Sequence, residues 1–134
     1  MTRIAVCGGV YSNPYALRAV VEDARAGDAE QLYLLGDLGG CGAEPDAIWP
    51  LLVDNEITVV ADNYDVAIGR GDTDCGCGYA HLRDNEFAQL IFDYTLRHTS
   101  RDAQWMTTLS TERRFGLAGV DVHRVHGSTL ALND

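Results

Sequence analysis

The chain has 134 residues, which suits one domain over 1–134 with a real core and leaves little room for two. No apolar run approaches the roughly 18 residues of a membrane-spanning helix. Twenty acidic residues face ten basic ones, all arginine, for a formal charge of −10, a surface that repels both a nucleic-acid duplex and an anionic membrane.

In chain order, RIAVCGG (3–9) is a short apolar run ending in glycines, the profile of a buried parallel strand. It follows the start at once, with neither the basic opening nor the cleavage site of a secretory leader, so the expected location is the cytoplasm. Asn13 before Pro14 is a helix start, with a capping side chain and proline at the first helical position. Leu17, Val20, Val21 and Ala24 then recur at helical spacing, which predicts a helix over 14–26. QLYLLGD (31–37) reads as a second strand, and EPDAIWPLLVDN (44–55) as a helix that Pro50 kinks or stops early. ITVVADN (57–63) reads as the third strand.

Strands and helices in this alternation predict a right-handed βαβαβ unit with a parallel sheet, whose ligands collect at the carboxyl ends of the strands. GRGDTDCGCGY (69–79) reads as a loop over that edge. A helix follows over 84–100, capped by Asn85 or Asp84, with Phe87, Leu90, Ile91 and Tyr94 as its apolar face. A short helix from Ser100 covers 100–109. RRFGLAGVDVHRVHGS (113–128) predicts two β segments joined at Ala118-Gly119 and ending in a VHGS loop.

Cys7 falls in a predicted strand, where cysteine behaves as a small hydrophobe. Cys75 and Cys77 stand one residue apart, too close for an ordinary unstrained disulfide. The cysteine count fits a reducing compartment rather than a disulfide framework. Cys75, Cys77 and His81, with Cys41, are weak candidates for a separate metal site because zinc sites space their cysteines differently.

Three predicted strand ends supply Asp37, then Asn63 with Asp62 and Asp65, then His126. Aspartate, asparagine and histidine converging on one sheet edge are ligands for a divalent ion such as Mn²⁺, Fe²⁺ or Zn²⁺. A metal-free site also offers itself there. Gly8 and Gly9 permit close backbone approach, and the helix at Pro14 directs N–H groups to the same edge. Gly8, Gly9, Tyr11 and Asn13 would then hold phosphate.

RIAVCGGVYSNPYALRAVVEDA, LYLLGDLGGCGAEPD, VVADNYD and HRVHGS, taken together and running from Arg3 to Ser128, resemble the calcineurin-like metallophosphoesterases of the small bacterial and archaeal phosphodiesterase type. The resemblance implies an α/β calcineurin-like sandwich with a parallel βαβαβ N-terminal half. It implies that Asp37 corresponds to the aspartate bridging two metal ions, and that Asn63 and His126 correspond to ligands of the second ion. The family's first-ion aspartate and histidine fall at Gly9 and Tyr11, and its catalytic histidine falls at Tyr64. Its closing Gly-His-x-His motif has no counterpart, so the sandwich is expected to be incomplete at the C-terminus, favouring a homo-oligomer or a fragment of a longer protein.

The expected function is therefore metal-dependent hydrolysis of a phosphodiester or phosphomonoester. The substrate would be a phosphate-bearing small molecule, at a degenerate site with at most one well-held ion. Tyr64 stands at the catalytic position as a weak replacement, since an ordinary phenol is a poor acid at neutral pH. Restoring Gly9→Asp, Tyr11→His and Tyr64→His together is expected to raise hydrolysis. The competing expectation is an inactive module binding phosphate, a nucleotide or a partner protein on the same fold.

Overall fold

The computed structural model describes residues 3–132. Strand β1 (Ile4–Cys7) pairs in parallel with β2 (Gln31–Leu34), which pairs in parallel with β3 (Thr58–Val59), in the order β1-β2-β3. Helix α1 (Pro14–Ala26) crosses from β1 to β2. Asn13 caps it as its sequence implies, its side chain accepting from the N–H groups of Tyr15 and Ala16. Leu17 and Val21 bury one face of the helix against Leu32, Leu34 and Val59 of the sheet.

A 3₁₀ turn at Pro45–Ala47 leads into α2 (Ile48–Asp54), so the helix expected over 44–55 divides in two. Pro50 neither kinks nor stops it. It is the third residue of α2, within the first turn, where a backbone N–H has no helical partner to lose. The third strand is shorter than expected, because at Asp62 the chain turns into a helix that the sequence reading missed, α3 (Asn63–Arg70).

Helix α4 (Leu82–His98) begins two residues before the expected start, after His81, and neither Asp84 nor Asn85 is its N-cap. The Asn85 side chain instead accepts from Tyr79 N–H and donates to the carbonyls of Tyr79 and His81, fastening the loop before the helix. The inward stripe of α4 also differs. Phe92 and Thr95 are buried, whereas Phe87 and Leu90 are exposed. A 3₁₀ helix at Arg101–Thr108 stands where the short helix was expected.

Strands β4 (Glu112–Leu117) and β5 (Val120–Val125) form an antiparallel hairpin. Ala118 and Gly119 both have positive φ, as a two-residue turn matched to strand twist requires. The hairpin docks on the parallel sheet through aromatic contact. Tyr33 of β2 stacks on Phe115 at 5.3 Å, and the buried Arg124 guanidinium lies 3.7 Å from the Tyr33 ring centre.

The cysteine loop corrects another expectation: Cys75 and Cys77 are joined in a disulfide, leaving Cys7 and Cys41 free. The spacing rule that disfavoured it describes ordinary bridges between separate segments, and here the chain folds back across a single glycine. Among the described residues no helix is long and apolar enough to cross a membrane.

Candidate metal centre

Asp37, Asp62 and His126 meet at the carboxyl edge of the sheet, each offering one donor atom, with all three atoms within 4.8 Å of one another. Asp37 follows β2, Asp62 follows β3 and His126 follows β5. Their convergence depends on Gly36, which has φ +90° and on which a Cβ would stand 2.8 Å from Asp62 Cβ and 2.9 Å from His126 Nδ1. The Gly-Asp pair is thus a backbone requirement as well as a source of a carboxylate.

Each donor is held from behind. The ring Nδ1 of His126 meets the Leu35 carbonyl oxygen. A carbonyl can only accept, so Nδ1 carries a hydrogen, and in the neutral ring the lone pair is on Nε2. That Nε2 lies 3.9 Å from Asp62 Oδ2. Asp62 is 1% exposed, and its Oδ1 accepts the Asp65 N–H at 2.7 Å as the N-cap of α3. Asp37 Oδ2 accepts the Tyr11 hydroxyl at 2.8 Å. Two carboxylates and an imidazole with their donor atoms this close fit a divalent ion of borderline hardness.

The donors open on a cavity of about 320 Å³ whose other walls include Tyr11, Asn63, Tyr64, Cys77 and Tyr79. Burial chiefly, then a hydrogen bond with Asp62 and the Asp62 charge, push the Asp37 carboxyl up, against the opposing effects of the Tyr11 hydrogen bond and the His126 charge. The hydrogen bond to Asp37, followed by burial, pushes the Tyr11 phenol up to about 12. Burial does the same to Tyr64, also to about 12. Both tyrosines remain hydrogen-bond donors at neutral pH and are poor proton sources there.

The sequence-predicted residues separate into groups. Asp37 and His126 come together, and the second carboxylate beside them is Asp62. Asn63 is turned so that its Nδ2 donates to the Cys75 carbonyl at 2.8 Å. Tyr64 is 9% exposed, and its hydroxyl donates to Thr95 Oγ1 at 3.0 Å. The loop with Gly8, Gly9, Tyr11 and Asn13 lies against the Asp37 loop. The N–H groups of Val10 and Tyr11 bond the Asp37 carbonyl, that of Ser12 bonds Leu38, and that of Asn13 bonds Val10. With Tyr15 and Ala16 N–H on the Asn13 side chain, these donors are engaged within the chain rather than facing a phosphate.

Beneath the centre, Asp65 is fully buried, its Oδ1 accepting the Leu38 N–H at 3.1 Å, while among the described residues no donor reaches Oδ2. Burial, reinforced by the Asp62 charge, pushes its carboxyl well above the ordinary range. Such a carboxyl keeps its proton in the folded chain where the unfolded chain has lost it. Folding stability therefore falls as pH rises from about 4 through the folded pKa. Asp65→Asn removes this penalty. In chelator, the variant is expected to gain stability over wild type progressively as pH rises from about 5.5 to 8. Urea denaturation across that range checks it, and a variant that tracks wild type at every pH would show Asp65 to be ionised throughout.

No family model and no curated protein matches the sequence. Solved structures do match. A hypothetical protein from Pyrococcus horikoshii OT3 aligns over 100% of this chain and 58% of its own, at 19% identity and a TM-score of 0.81. A metallophosphoesterase from Sphaerobacter thermophilus aligns over 86% of this chain and 44% of its own, at 26% identity and a TM-score of 0.62. The chain therefore spans less than two thirds of the length of either.

Proposed function

We propose that this chain, a divergent member of the calcineurin-like metallophosphoesterase superfamily by fold, is a metal-dependent phosphoesterase of weakened activity on a phosphate-bearing small molecule. Asp37, Asp62 and His126 would hold one divalent ion, Mn²⁺, Fe²⁺ or Zn²⁺. The observation that carries this is the meeting of the three donors, with His126 Nδ1 on the Leu35 carbonyl and Nε2 3.9 Å from Asp62 Oδ2. Bound there, such an ion would neutralise phosphoryl charge and lower the pKa of water. Tyr11 would orient Asp37 through its hydroxyl, and Tyr64 would stay a neutral wall of the cavity because its hydroxyl is committed to Thr95. The cytoplasmic location expected from the sequence belongs to the same proposal.

The second reading, a non-catalytic phosphate- or nucleotide-binding module, is favoured by one specific feature. The Tyr64 phenol, pushed up to about 12 chiefly by burial, is a poor acid for protonating a leaving group near neutral pH.

Metal content measured beside turnover of a generic phosphodiester separates the two. The enzyme reading expects close to one equivalent of Mn²⁺, lost on Asp37→Ala or His126→Ala, and slow hydrolysis lost with it. Metal uptake without turnover would favour the binding module. A chain that takes up no ion, and whose thermal stability is unchanged by chelator, would refute the metal centre.

A further inference from the structure

We propose that the Cys75–Cys77 disulfide is a redox-active couple, opened by a small dithiol and closed by the corresponding small disulfide, and that its state sets how Asn63 is held beside the metal centre. The bridge spans one residue and ties no element to another. A cross-link that short removes little freedom from the unfolded chain, so stabilisation does not account for it.

Its sulfurs are unequally placed. Cys75 is 7% exposed and packs with Tyr64, Ala67, Ile68 and Phe92. Cys77 is partly exposed and lines the cavity that holds Asp37, Asp62 and His126. Cys77, the more exposed residue of the two, is therefore the one an incoming thiolate meets first. The pair is read by Asn63, whose Nδ2 donates to the Cys75 carbonyl at 2.8 Å and lies 3.7 Å from Cys77 Sγ as a second acceptor. Asn63 directly follows Asp62, so the sulfur state reaches the residue next to a metal donor.

The exchange balances with a dithiol as reductant. Its first sulfur, as thiolate, attacks Cys77 Sγ, breaking the Cys75–Cys77 bond and forming a mixed disulfide, and Cys75 leaves as a thiolate that takes up a proton. The second dithiol sulfur, losing its proton, attacks the mixed disulfide and closes the reductant's own ring, and Cys77 leaves and is protonated. Two electrons and two protons pass from the dithiol to the cysteines. Re-oxidation by the small disulfide is the reverse.

The test uses the whole chain equilibrated in graded ratios of reduced to oxidised dithiothreitol, then denatured with iodoacetamide and weighed. The expected result is one reversible transition between two labelled cysteines, Cys7 and Cys41, and four, with the circular dichroism unchanged across it. Cys77→Ser should carry three labels at every ratio. Four labels on wild type at every ratio, or labels that appear only together with loss of circular dichroism, would overturn the couple. Titrating Mn²⁺ into both forms tests the link through Asn63, with the dissociation constants expected to differ about fivefold or more. Constants equal within error would overturn that link. This second arm rests on the metal reading above and the thiol arm does not, so a chain that binds no Mn²⁺ in either form refutes the metal centre and leaves the couple to the labelling result.

Discussion

Asp62→Asn is expected to weaken Mn²⁺ binding about a hundredfold or more while leaving the chain folded. The substitution keeps an oxygen where Oδ1 caps α3 on Asp65 N–H, so the helix start survives. It removes the charge 3.9 Å from His126 Nε2 and leaves Asp37 as the single carboxylate of the trio. Changes merely behind a metal ligand already cost about 10–100-fold in affinity, and loss of a ligand charge should exceed them. Asn63→Ala is expected to cost less, since it removes no charge from the site, only a neutral amide whose Nδ2 donates to the Cys75 carbonyl. Equilibrium dialysis with metal analysis would rank the two variants. If Asn63→Ala abolished binding and Asp62→Asn left it intact, the centre would be built as the family resemblance implies, on Asp37, Asn63 and His126.

Gly9→Asp carries the second large effect, and it runs against the expectation from sequence. A Cβ on Gly9 would stand 2.3 Å from Asp37 Cβ and 2.8 Å from the Tyr11 ring. The Tyr11 ring can swing aside, but Asp37 Cβ is fixed to a backbone whose carbonyl already accepts from Val10 and Tyr11. The loops must therefore separate, breaking those bonds. Overpacking typically costs about 1–3 kcal/mol, and with two backbone hydrogen bonds at risk the expected loss is about 3 kcal/mol or more.

Adding Tyr64→His would also remove a buried hydroxyl bond to Thr95 and an edge contact with Phe92 at 5.3 Å. The triple restoration should thus lose stability before it gains hydrolysis. Urea midpoints measured ahead of any activity assay decide the matter. A Gly9→Asp protein as stable as wild type would mean that the first loop does not lie against Asp37 in solution.

The N-terminal half of the fold was legible because its signals are local. Asn13-Pro14 starts α1, and the runs at 3–9, 31–37 and 57–63 mark parallel strands by apolar composition. The start of α3 was missed although Asp62 followed by Asp65 is a capping pattern, because ADN had been read as a strand end presenting a ligand. The turn into α3 also brings the Asp62 carboxylate to 3.9 Å from His126 Nε2, a proximity that the linear order of Asp62 and Asn63 does not reveal. The inward face of α4 was misjudged since Phe87 and Leu90 fit the helical period as well as Phe92 does. Which stripe is buried depends on the loop against which the helix packs, and periodicity carries no record of it. The Cys75–Cys77 bridge was discounted by a rule drawn from bridges between separate segments.

His126 directly follows the β4–β5 hairpin, and its contact with Leu35 joins positions 91 residues apart. An ion seated between Asp37, Asp62 and His126 would close that long loop, acting as a removable staple between the two layers. Chelation should accordingly speed amide exchange most in β4 and β5, with α1 and β1 hardly affected. The centre would then be a mechanical part of the protein, detectable without any substrate.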